Sequence, residues 1–129
     1  MKSIVCFRTP AGYYGIPVEQ VFEIRGAEGL RPLPAPRPGV AGLLAIGEDS
    51  LSVLSVLGSD GGHVVVVEDG EVRFGLLVEE VTGIEKVDEA TINPPPNGQD
   101  RAVVAGVINN TGGLILMLDL AVLRGRLVG

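Results

Sequence analysis

The chain has 129 residues, 46% of them hydrophobic and 4% aromatic, with one Cys, no Trp and a formal net charge of −6. That is enough Val, Leu, Ile and Ala for a packed core, which excludes a disordered chain and leads us to expect a single domain over 1–129. The negative balance (pI about 4.7) disfavours nucleic acid and anionic membrane surfaces as partners, and the lone Cys6 has no partner for an internal disulfide.

Residues 2–9 are a strand candidate, closed by Pro10-Ala11-Gly12. Tyr13 to Ile16 is a second short strand. Pro17 suits the first position of a helical turn, so Val18 to Val21 is expected to turn once before Phe22-Glu23-Ile24-Arg25 extends. Arg31 to Pro38 places Pro at every second position, which makes a stiff connection near polyproline II. Val40 to Ile46 and Leu51 to Leu57 read as a hairpin around Gly47-Glu48-Asp49-Ser50. His63 to Glu68 carries four consecutive valines, the pattern of a strand buried on both faces. Asp69-Gly70 is a hairpin turn, with Glu71 to Val81 as the return arm.

After Thr82-Gly83, Ile84 to Val87 is a short strand, followed by a polar loop through Pro94 to Gly98. Ala102 to Ile108 and Leu114 to Leu118 form another hairpin. Asn109-Asn110-Thr111 matches a glycosylation sequon and is read as its turn. Asp119 is placed to cap a final helical segment with Leu120, Leu123 and Leu127 on one side. Nine or ten short strands with two small helical pieces predict an all-β barrel or sandwich.

No catalytic constellation is visible. A metal site needs clustered His, Cys and carboxylate, and the one His and one Cys fall in different strands. His63 has no Ser-His-Asp or Cys-His order around it. The pairs Glu48-Asp49, Glu79-Glu80 and Asp88-Glu89 are adjacent, so on strands they point to opposite faces and read as solvated. Gly58 to Gly62 lacks the Lys-Ser/Thr ending of a phosphate loop. Basic residues do not cluster for nucleic acid, and no apolar run approaches the roughly 18 residues of a membrane span. Cys6, inside Ile4-Val5-Cys6-Phe7, is expected to be a buried, inert thiol, and the absence of disulfides fits a reducing cytoplasm. No cofactor is expected.

Three motifs carry a resemblance. They are Tyr14-Gly15-Ile16-Pro17 with Val21-Phe22-Glu23-Ile24, Gly75-Leu76-Leu77-Val78-Glu79-Glu80-Val81, and Leu118-Asp119-Leu120. In this order and spacing, joined by Leu33-Pro34-Ala35-Pro36 and Val40-Ala41-Gly42-Leu43, they resemble the CheW-like family over nearly the whole chain. The resemblance implies two interlocked five-stranded SH3-like barrels with short helices around a shared core. It implies a non-catalytic cytoplasmic adaptor that joins a chemoreceptor tip to the regulatory domain of a CheA-type histidine kinase. That kinase domain has the same fold and pairs with the adaptor pseudo-symmetrically.

The central hairpin departs from the family pattern. Ala45 stands where the family has Asn, Gly47 where it has Arg, Ser52 where it has Pro and Ser55 where it has Asp. A glycine cannot replace the planar donor fork of an arginine, which puts ordinary receptor coupling in question. The alternatives are an accessory or inhibitory member with another signalling partner, or a small-ligand-binding β-barrel. Candidate partner-binding residues are Val18, Val21, Leu43, Gly47, Glu48, Asp49, Val81, Ile84 and Val87.

Overall fold

The computed structural model describes residues 1–58, 61–95, 103–110 and 113–127. Its strands are β1 (Lys2–Thr9), β2 (Gly12–Pro17), β3 (Val21–Gly26), β4 (Val40–Ile46), β5 (Asp49–Leu54), β6 (His63–Asp69), β7 (Val72–Val78), β8 (Glu80–Val87), β9 (Val104–Asn110) and β10 (Gly113–Leu118). Single 3-10 turns lie at Val18–Gln20 and Glu89–Thr91, and one helix, α1, spans Leu120–Gly125. The strands form two five-stranded sheets, β8-β1-β2-β10-β9 (barrel A) and β3-β6-β7-β5-β4 (barrel B). The chain opens barrel A, builds all of barrel B, and returns to complete barrel A, so the two are interlocked as expected.

The two sheets share one topology. Counting barrel B from β3 and barrel A from β8 through β2, each runs first, fourth, fifth, third, second. In each the third and fifth strands are the parallel pair, β5 with β7 and β10 with β2. The sequence carries the same correspondence. Gly15 to Ile24 matches Gly75 to Ile84 at Gly, Val, Glu, Val and Ile, and Val40-Ala41-Gly42 matches Val104-Ala105-Gly106.

Burial follows from strand alternation. Val64 and Val66 face the interior of barrel B with Leu44, Leu51, Val53 and Leu77. Val65 and Val67 point the other way, into a core between the barrels with Phe7, Ile16, Phe74, Leu76, Leu118 and Leu123. Side chains on one strand alternate between faces, so a strand with apolar layers on both sides is apolar throughout. Barrel A has its own interior of Ile4, Cys6, Val87, Ile108, Ile115 and Met117.

Asp119 caps α1 as expected, its carboxylate accepting from the Ala121 and Val122 amides at 3.1 and 3.2 Å. Leu120 and Leu123 are thereby turned into the inter-barrel core, with Leu127 packed against it.

Three expectations about the strands need correction. The run from Glu71 to Val81 is not one arm. It breaks at Glu79, where the chain leaves barrel B (β7) for barrel A (β8), and β8 is longer than the short strand read from Ile84. The apolar run ends at Val78, and the Glu79-Glu80 pair that follows, read as solvated positions on one arm, is where the chain changes sheet. The central hairpin turns on two residues, Gly47 and Glu48, because Ile46 already pairs with Asp49, so Asp49 and Ser50 belong to β5. That strand also ends at Leu54, not Leu57. Ala102 and Thr111 lie outside the described residues.

Candidate partner-docking surface

The central hairpin is held at three points. Gly42, at φ +152°, sits under the Arg31 carbonyl, where a Cβ would come within 2.0 Å of that oxygen. The bare backbone lets Arg31 and Leu43 exchange both backbone hydrogen bonds, at 2.8 and 2.9 Å, which closes barrel B. Arg25 on β3 donates from Nη1 to the Ala45 carbonyl at 3.0 Å. At the tip, Gly47 adopts φ +59°, a left-handed conformation that glycine takes without a Cβ penalty. Beyond it Glu48 and Asp49 are exposed, and among the described residues neither forms an ion pair.

Strand β3 bulges at Phe22, the residue left over where Val21 pairs with Val67 and Glu23 with Val66. The guanidinium of Arg73 lies 3.7 Å from the Phe22 ring centroid and donates to Glu68 Oε2 at 3.2 Å. The ring remains 45% exposed. Thr82 is the counterpart bulge on β8, held by Tyr13 Oη at 2.8 Å. Tyr13 Oη also donates to Glu85 Oε2 at 3.2 Å, and the Cys6 thiol approaches the same oxygen at 3.4 Å. Cys6 is fully buried. Desolvation first, then the hydrogen bond to and negative charge of Glu85, push its thiol up to about 12.

Arg8 gathers the crossover between barrels. Its Nε lies 3.4 Å from Glu79 and its Nη2 pairs with Glu80. Adjacent carboxylates converge here because Glu79 lies between strands, not within one, which corrects the reading of this pair as pointing to opposite faces. His63 is exposed, with Nδ1 3.2 Å from the Glu79 carbonyl oxygen.

The nine sequence-derived candidates divide. Val18 and Ile84 are exposed, Ile84 at 64%. Gly47, Glu48 and Asp49 are exposed together at the hairpin tip. Val21 and Val81 are half-buried against the inter-barrel core. Leu43 is half-buried and belongs to the closure of barrel B. Val87 is the correction: at 7% exposure it packs inside barrel A, so it has no side-chain surface to offer. Phe22 and Ile24 are exposed and were not among the candidates. Their run, Val21-Phe22-Glu23-Ile24, shows no alternation that separates inside from outside, and the bulge decides it.

Among the described residues no helix is long and apolar enough to cross a membrane. The CheW-like domain model matches residues 3–126. Protein FrzA of Myxococcus xanthus is 30% identical over 122 residues, covering 86% of this chain and 76% of that protein. The crystal structure of the scaffolding protein TtCheW from Thermoanaerobacter tengcongensis superposes with a TM-score of 0.83, at 24% identity, over 92% of this chain and 84% of that one. The two barrels, their shared core and the near-complete family match identify this chain as a member of the CheW-like family, non-catalytic scaffold proteins of chemotaxis-type signalling.

Proposed function

We propose that the whole chain acts as one CheW-like unit, a cytoplasmic adaptor that binds the regulatory domain of a CheA-type histidine kinase. The observation that carries this reading is the family match over 3–126 on a chain whose described residues form two five-stranded sheets around a shared core.

A second reading, an accessory member that engages the kinase without bridging it to a receptor, is favoured by the hairpin tip. There Ala45, Gly47 and Glu48 offer no donor fork. Co-sedimentation of the kinase with receptor-bearing membranes separates the two. An adaptor raises the kinase in the pellet. An accessory member binds the kinase and leaves it in the supernatant. A chain that does neither contradicts both.

A further inference from the structure

We draw no further inference here: the strongest candidate, the exposed apolar side chains of Phe22 and Ile24 on β3 with Arg73 against the Phe22 ring, is an unpartnered apolar face, and nothing in the structure shows what covers it.

Discussion

Gly15 and Gly75 are counterparts. Each lies on the fifth strand of its barrel, paired in parallel with the third strand and antiparallel with the fourth. A Cβ at Gly15 would meet Ile4 Cδ1 at 3.0 Å, Ile115 Cγ2 at 3.1 Å and Met117 Sδ at 3.2 Å, of which the first and last can move aside on unbranched side-chain torsions while the β-branched Ile115 methyl cannot. At Gly75 it would meet Val64 Cγ1 at 2.7 Å and Val53 Cγ2 at 3.0 Å, and valine has little rotamer freedom with which to retreat. Gly75→Ala is therefore expected to cost about 1–3 kcal/mol through overpacking. Gly15→Ala is expected to cost less than about 1 kcal/mol, because the added methyl is partly offset by reduced freedom in the unfolded chain. Urea denaturation of the two variants checks the order, and equal losses would refute it.

Gly47→Arg is the obvious way to restore the family side chain, and the backbone resists it. At φ +59° a non-glycine residue carries a penalty of about 1–2 kcal/mol. Thermal unfolding is expected to show that loss, with Gly47→Asn milder because asparagine tolerates the left-handed region. The adjoining Glu48→Arg supplies the guanidinium without the strain and is expected to leave the melting temperature nearly unchanged.

The Cys6 thiol stays protonated in the folded chain up to about pH 12, against 9.0 for an ordinary thiol. An alkylating reagent at pH 8 is expected to leave the native protein unmodified and to label it stoichiometrically in denaturant. The sign for stability follows from linkage. The unfolded thiol loses its proton above pH 9 while the folded one keeps it, so this group destabilises the fold progressively between pH 9 and 12 and is neutral below. Cys6→Ala is expected to remove that part of the alkaline decline, which pH-dependent urea titrations measure.

Asp119→Ala removes the acceptor for two helix amides and is expected to cost about 1 kcal/mol. Because α1 carries Leu120 and Leu123 into the core between the barrels, the loss is expected in the global transition and not as local fraying. A separate low-temperature transition, seen by calorimetry, would show that the helix is not coupled to the core.

Much of this fold was legible in the sequence because each strand is written by alternation or by a doubly apolar run. The valines from Val64 to Val67 announced two buried faces, and both faces are filled, one inside barrel B and one between the barrels. The Asp119 cap was legible because a short acceptor side chain ahead of an apolar periodic segment has one common use. The crossover at Glu79 was not, since the Glu79-Glu80 pair reads equally as solvated positions on one long strand or as a break between two. Val87 was misread for a related reason: a valine near the end of a polar strand looks exposed until the far wall of barrel A is in place. The docking surface was legible only in part. Val18, Ile84 and the hairpin tip could be named from the motifs, while Phe22 needed the bulge and the guanidinium of Arg73 to show that its ring is both exposed and held.

The most direct measurement is the binding of the purified full-length chain to the regulatory domain of its own organism's CheA-type kinase by isothermal titration calorimetry. Saturable binding in the micromolar range or tighter is the expected result. A flat titration with a folded kinase domain, at low salt and at concentrations well above that range, would contradict the adaptor function.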